Sequence, residues 1–232
     1  QQHKTNVVLY NLLPKQVAVN LIRGSIADDY KSVSVLFCDV FAFGNMTQLL
    51  PPRKLLLLLN DVFTIFDKTI DDHPVTKIET IGEVYMVASG VPFPKAVLSF
   101  DHAEAICRLA LDMQFKSRCF FYTAPNELAA SKRKTRIQLR IGIHSGPVIA
   151  GVIGLKLPRY RLFGDTVNVA SRMETNCLPD SVQISEATHS LVQHAFRSFF
   201  WVSCRRGLIQ IKGKGFMRTY FLLEETSGSS PT

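Results

Sequence analysis

"KIETIGEVYMVASGVP", residues 77–92, sets two glutamates, Glu79 and Glu83, four positions apart around Gly82 inside an apolar, β-branched stretch. That composition around a glycine predicts a hairpin with arms "VTKIET" and "EVYMVASG", joined across Ile81 and Gly82. Upstream, "KSVSVLFCDVFAF" (31–43) has a β-branched apolar run ending at Asp39, and predicts a strand. "PPRKLLLLLNDVFTIFDKTIDD" (51–72) follows as an amphipathic helix opened by prolines. Downstream, "SFDHAEAICRLALDMQFKSRCFFYT" (99–123) predicts a second long helix, and "APNELAASKRKTR" (124–136) a polar, basic surface loop. "IQLRIGIHSGPVIAGVIG" (137–154) reads as strand, Ser-Gly-Pro turn, strand, and "GDTVNVASRMET" (164–175) as a third helix. "VQISEATHSLV" (182–192) gives a strand and a helix, and "LIQIKGKGFMRTYFLLEE" (208–225) a terminal strand pair around "GKG". Strand, helix, strand, strand, helix, strand is the ferredoxin-like split βαβ order. The expected fold class is therefore α/β (α+β), a mixed, mostly antiparallel sheet flanked by helices.

The 232 residues, 47% hydrophobic, suffice for a full core. The leucine block Leu55–Leu59 is hemmed in by Arg53, Lys54 and Asp61, far short of the ~20 apolar residues that span a bilayer. The absence of an initiator Met and of a signal-peptide pattern leads us to expect a piece of a longer chain. Five cysteines without a CxxC or Cys/His cluster argue against a zinc site or a disulfide framework, and for a reduced, cytosolic setting. The formal charge of +8 favours a polyanionic partner, whether nucleic acid, membrane surface or nucleoside triphosphate. Nucleic acid is disfavoured, because the basic residues cluster in "ASKRKTR" and "KGKG" without interleaved stacking aromatics. Three regions follow: a linker helix segment over 1–30, a main folded domain over 31–225, and a disordered tail over 226–232.

Asp39 stands where a strand delivers a carboxylate to the edge of a sheet, and Glu83 opens the second hairpin arm, a neighbour of that strand in the split βαβ topology. Carboxylates that converge beside a backbone turn suit a pair of divalent ions bridged to phosphate oxygens. On spacing alone the bland alternative stays open: Asp39 caps a loop and Glu83 faces water. Asn168 and Arg172, four apart, share one face of a helix, and the lysines of "KGKG" form a basic turn.

"VSVLFCDVFAF", "KIETIGEVYMVASGVP", "RIGIHSGPVIAGVIGLKLPRYRLFGDTVNVASRMET" and "IKGKGFMRTYFLL", in that order, resemble the successive motifs of class III nucleotidyl cyclase catalytic domains, most of all those of receptor-type guanylate cyclases. The resemblance covers residues 12–225. It implies class III additions to the split βαβ core and cyclisation of GTP to 3′,5′-cyclic GMP and pyrophosphate with two Mg²⁺ or Mn²⁺ ions. It further implies a site formed between two subunits, in a homodimer or in a heterodimer with another cyclase domain. By the same resemblance Asp39, the backbone of Val40 and Glu83 are metal ligands, and Phe41, Ala42, Phe43 and Gly44 form the phosphate-cradling turn. Glu79 reads guanine N1–H and the 2-amino group. Asn168 and Arg172 orient the ribose and stabilise transition-state charge, and Lys212, with Lys214 a lesser candidate, meets the terminal phosphates. The segment "YNLLPKQVAVNLIRG" resembles the join to an upstream coiled coil or receptor part, so any membrane attachment would belong to missing parts of the parent chain.

Three positions depart from the family pattern. Glu83 replaces an aspartate and moves the carboxylate outward by about one C–C bond, where metal distances hold within ~0.2 Å. In the turn, Ala42 replaces a glycine and is strained by any positive φ the turn requires. Arg161 in "PRYRLFGD" replaces the cysteine or aspartate that reads the purine 6-position. Arginine has only donors, so it suits guanine O6 and opposes the adenine amine, unless it pairs with Glu79 and blocks the pocket. Both outcomes are open in the sequence, as are an active cyclase and a weakened regulatory subunit that dimerises with a conventional one.

Overall fold

The protein is described by a computed structural model that covers residue 17 and residues 27–92, 101–123, 134–154, 158–193, 200–204 and 208–224. The expected surface loop up to residue 133, the tail, and the lead-in segment up to residue 26 other than Val17 lie outside the described residues, and residues 27–30, expected in that helical segment, instead begin the first strand. β1 (Ala27–Val40) leads into a short α1 (Phe43–Leu49) and the long α2 (Pro52–Ile70). The hairpin β2 (Thr76–Ile81) and β3 (Val84–Ser89) precedes α3 (His102–Ser117) and a small ribbon of β4 (Phe121–Tyr122) with β5 (Thr135–Arg136). β6 (Leu139–Ile153), β7 (Arg159–Phe163), α4 (Asp165–Thr175), β8 (Ser181–Ser185) and α5 (Glu186–Val192) complete the middle of the chain. β9 (Phe200–Cys204), the hairpin β10 (Ile209–Ile211) and β11 (Gly215–Met217), and β12 (Thr219–Glu224) end it.

The main sheet runs β2-β3-β1-β6-β8-β12-β9, with β7 also paired to β6. Its pairs are antiparallel except β6 with β8. The expected mixed, mostly antiparallel sheet flanked by helices is what forms. Side-chain alternation divides β1 between two cores. Leu36, Cys38 and Val40 pack with α2, α3 and α5 on one face, while Val33, Val35 and Phe37 pack with β7 and Ala170 of α4 on the other, where Val17 is also buried.

Two sequence expectations are corrected. Residues 137–154 hold no Ser-Gly-Pro turn: β6 runs unbroken through Ser145, Gly146 and Pro147. The register to β1 passes from Gly146↔Val33 to Val148↔Tyr30, so a β1 bulge stands opposite Pro147 and accommodates the residue that cannot donate to the ladder. In the hairpin, Ile81 pairs with Val84, so the two-residue loop is Gly82–Glu83. Glu83 is thus a turn residue, and Gly82 supplies the positive φ of 59° that so short a loop needs.

Candidate active site

The C-terminal end of β1 carries the first group of candidate residues. Val40 is buried and Asp39 is 7% exposed; register opposes Asp39 to Arg140 of β6. Arg140 grips both carboxylate oxygens, Nε at 3.1 Å from Oδ1 and one terminal nitrogen at 2.5 Å from Oδ2. That same nitrogen lies 3.1 Å from Oε1 of the buried Glu174 on α4. Burial, and next the charge of Asp39, push the Glu174 carboxyl up to about 8, and the Asp39 hydrogen bond holds the Arg140 guanidinium firmly protonated. β1 pairs with β3 as far as Cys38↔Tyr85, so Asp39 and the half-buried Glu83 stand at the same end of adjacent strands.

The turn after Val40 passes through Phe41, Ala42, Phe43 and Gly44 into α1. Ala42 adopts the left-handed conformation, φ 56° and ψ 29°, the strain expected where alanine replaces glycine. Its carbonyl accepts from Asn45 and Met46 N–H, while Phe41 N–H donates to Gln138 O at 2.8 Å and is therefore committed within the chain. Phe43 packs against the core, Arg140 lies over the Phe41 ring, and Gly44 is exposed.

Glu79 and Arg161 form the second group, brought together across β2 and β7. An Arg161 terminal nitrogen approaches Glu79 Oε2 to 2.9 Å, with the Glu79 side chain 14% and the Arg161 side chain 39% exposed. The approach is off the line of a hydrogen bond, and Oε2 is buried with no hydrogen-bond partner among the described residues. Its charge is nonetheless compensated by the guanidinium at ion-pair distance.

α4 and the β10–β11 hairpin hold the third group. Val169 and Met173 of α4 pack on Ile211, fixing the hairpin against the helix. This carries the turn at Lys212, Gly213 and Lys214 to Arg172, one of whose terminal nitrogens would lie 3.8 Å from a Cβ built at Gly213. Lys214 is tied to Asp165 at 2.5 Å, whereas Lys212 is exposed and forms no ion pair among the described residues. Asn168 is exposed one turn before Arg172. Two residues on, Glu174 points to Arg140 instead, since a helix turns roughly 200° over that step. α4 can lie this close to β6 because of Gly142, where a Cβ would sit 1.8 Å from Glu174 N.

The chain thus joins Arg172 with the lysine turn, Glu79 with Arg161, and Asp39 with the end at which Glu83 stands. Contact between Arg172 and Asp39 is not recorded among the described residues. Arg140, Glu174 and Asp165 were missed in the sequence. The signal for the first was a charged residue opening the apolar run "RIGIH", and for the second a carboxylate on the helix face opposite Arg172. Asp39 keeps unused lone pairs beyond the two that Arg140 takes, and carboxylate and carbonyl oxygens are the hard donors that suit Mg²⁺ or Mn²⁺, while among the described residues no group of three or more His, Cys, Asp or Glu side chains gathers there.

The family profile described as "Adenylate and Guanylate cyclase catalytic domain" matches residues 26–224. Guanylate cyclase soluble subunit beta-2 of Rattus norvegicus is 39% identical over 231 residues, covering 99% of this chain and 32% of the relative. Receptor-type guanylate cyclase gcy-5 of Caenorhabditis elegans is 38% identical over 232 residues, covering 99% and 20%. The chain therefore spans about a third or less of these relatives' length. Among solved structures, the guanylate cyclase domain of RhGC from Catenaria anguillulae in complex with GTP superposes with a TM-score of 0.72 at 32% identity, covering 86% of this chain and 100% of that one.

Proposed function

The chain belongs to the family of adenylate and guanylate cyclase catalytic domains, and from that premise we propose that it converts GTP to 3′,5′-cyclic GMP and pyrophosphate in intracellular signalling. The observation that carries this choice of substrate is the Glu79–Arg161 pair. A carboxylate that accepts no hydrogen bond at Oε2, set beside a guanidinium, puts an acceptor next to donors, and guanine would take up both by replacing their mutual contact. Guanine presents the complementary edge, N1–H and the 2-amino group as donors and O6 as acceptor. Adenine would set its N1 acceptor against Glu79 and its amine against Arg161, two repulsive pairings. The solved relative with bound GTP supports the same choice.

Asp39, Glu83 and the Val40 carbonyl would hold two Mg²⁺ or Mn²⁺ ions, which when bound supply Lewis-acid stabilisation of the reacting oxygens. Arg140 aims the Asp39 carboxylate. Arg172, held against the Gly213 turn, presents positive charge to the phosphates, with Lys212 beside it for the terminal ones and Asn168 for the ribose. Asp39 and Arg172 serve different sites in this reading, each completed by a second cyclase domain, as an isologous pair allows. Phe43 and Gly44 open α1, and their backbone N–H groups would meet the substrate's phosphates, with Phe41 contributing through its ring packing on Arg140.

A weakened subunit that lends only part of a site to a conventional partner is the second reading. Both oxygens of Asp39 are already engaged by Arg140, and Ala42 and Glu83 alter the same end of β1.

Purified chain supplied with GTP and Mn²⁺ is expected to release cyclic GMP, with ATP turned over about a hundredfold more slowly. Asp39→Ala should lower turnover about a hundredfold or more. Equal use of ATP and GTP would remove the purine argument, and activity untouched by Asp39→Ala would remove the metal assignment. A chain inert alone but active when mixed with a conventional cyclase subunit would favour the second reading.

A further inference from the structure

Seven polar side chains that the proposed chemistry does not use form one unbroken line, from Ser32 at His102 Nε2 through the core to His144. His102, at the start of α3, is 3% exposed, and its Nδ1 lies 2.9 Å from Ser34 Oγ on β1. Ser34 Oγ lies 2.6 Å from Ser145 Oγ, its cross-strand partner on β6. Ser145 meets Thr188 Oγ1 of α5 at 3.0 Å, Thr188 meets Ser185 Oγ at 3.2 Å, and Ser185 meets His144 Nδ1 at 2.7 Å. The four hydroxyl residues between the two histidines are each buried to within 4% of full burial. Ser34 and Ser145 project toward α3 and α5, whereas His144, one residue before Ser145, projects to the α4 side. The line therefore crosses from one face of the sheet to the other, turning around the C-terminal end of β8 at Ser185.

On that far side His144 lines a cleft of ≈ 470 Å³ with Tyr30, Gly146, Phe163, Asp165 and Thr166. Asp165 opens α4 and holds Lys214, so the cleft adjoins the helix that carries Asn168 and Arg172. Burial pulls the His144 imidazole down to about 4, so the ring is neutral near pH 7 and one nitrogen donates while the other accepts.

We propose that Ser34, Ser145, Thr188 and Ser185 form a hydroxyl relay that ties the tautomer of His144 to that of His102, and so decides whether His144 Nε2 offers the cleft a donor or an acceptor. The basis is a proton count. Five hydrogen bonds connect the two Nδ1 atoms, and the four hydroxyls supply one proton each. With both rings neutral, one imidazole contributes the fifth, and the Ser32 hydroxyl, 3.0 Å from His102 Nε2, can donate or accept and so suits either tautomer of that ring. If His102 Nδ1 carries it, every hydroxyl donates toward β8, Ser185 donates to His144 Nδ1, and His144 Nε2–H faces the cleft. If His144 Nδ1 carries it, every hydroxyl donates the other way, His102 Nδ1 accepts from Ser34, and His144 Nε2 becomes an acceptor. Like tautomers at both ends would leave one proton too many or too few, and with it a buried broken link. A ligand group that hydrogen-bonds His144 Nε2 thus selects the tautomer of an imidazole on the opposite face of the sheet, without any backbone movement.

Two-bond ¹H–¹⁵N correlation spectra of the imidazoles in the full chain test this, with the rings assigned from His102→Gln and His144→Gln. The expected result is unlike tautomers, one ring protonated at Nδ1 and the other at Nε2. Like tautomers overturn the proposal. In Thr188→Val, which keeps the shape and removes the central hydroxyl, the minor tautomer of His102 should rise about fivefold, the equivalent of one net hydrogen bond. His102 signals unchanged in a variant with a native amide spectrum overturn the relay. Ser145→Ala cuts the same line one step away, and takes the place of Thr188→Val should that variant not fold.

Discussion

At the C-terminal end of β1 the chain substitutes the pattern its resemblance led us to expect, while α4 and the β10–β11 hairpin retain theirs. The β1 end carries Glu83 in a two-residue turn, Ala42 in a left-handed conformation, and an Asp39 whose oxygens are both held by Arg140. In the other region, Val169, Met173 and Ile211 pack the lysine turn against Arg172, and Asn168 and Lys212 are exposed beside it. The two regions share α4, which turns Glu174 toward one and Arg172 toward the other. In the proposed reading the metal side can thus weaken while the transition-state side is kept, because Asp39 and Glu83 stand at the ends of β1 and the β2–β3 hairpin whereas Asn168 and Arg172 stand on α4. For a site assembled from two chains, such a molecule would be a better donor of one half than of the other.

The largest effect separates the halves outright. Asp39→Ala and Arg172→Ala should each lower turnover of GTP about a hundredfold or more when assayed alone. Mixed in equal amounts, they should recover about a quarter of the wild-type rate, because half of randomly formed dimers then hold one intact site out of two. No recovery in a mixture shown to contain heterodimers would place Asp39 and Arg172 in the same site and end the comparison. The same mixing with a conventional cyclase subunit in place of one variant shows which half this chain lends better.

The next effect tests whether the β1 end is the weaker region. Glu83→Asp withdraws the carboxylate by about one C–C bond toward the expected ligand position, and turnover with Mg²⁺ should rise several-fold to tenfold. Mn²⁺ should show a smaller gain, its larger radius tolerating the longer side chain better. A drop in turnover would mean that the loop at Gly82–Glu83 has already adjusted to glutamate.

Much of this arrangement was legible in the sequence, because local rules write it locally. The prolines that open α2, the hairpin turn at Gly82, read one residue early, and the Asn168/Arg172 spacing on α4 each depend on residues within a turn or two of one another. Ala42 was read as a strained position, and it holds a φ of 56°. What could not be read depends on register between distant strands. The unbroken β6 needed the bulge in β1 opposite Pro147, more than a hundred residues away. Arg140 is set against Asp39 by the same pairing, and Glu174 reaches both only because Gly142 lets α4 descend onto the sheet. The Ser34 to His144 line joins four elements, so no window of the sequence contains it. Of the Glu79–Arg161 alternatives, the ionic contact is there, yet it leaves Oε2 without a hydrogen bond. The pairing that the sequence offered as one alternative is therefore the one present, with Oε2 buried beside the guanidinium.

The smallest effect bears on whether Ala42 impairs the turn or merely strains it. A left-handed alanine costs ~1–2 kcal/mol that glycine does not incur. Ala42→Gly also loosens the unfolded chain by ~0.4–1 kcal/mol, so the net gain should be about 0.5–1 kcal/mol. For a chain of this length that is a rise of roughly 1–4 °C in Tm, measurable by calorimetry. A fall in Tm would show that the methyl group makes packing contacts worth more than the strain. The accompanying KM for GTP decides the functional half of the question. An unchanged KM with a raised Tm means the turn already holds the phosphate-binding geometry and alanine only strains it. A lower KM means the methyl group itself stands where the substrate's phosphates approach, and the β1 end is then weakened at Ala42 as well as at Glu83.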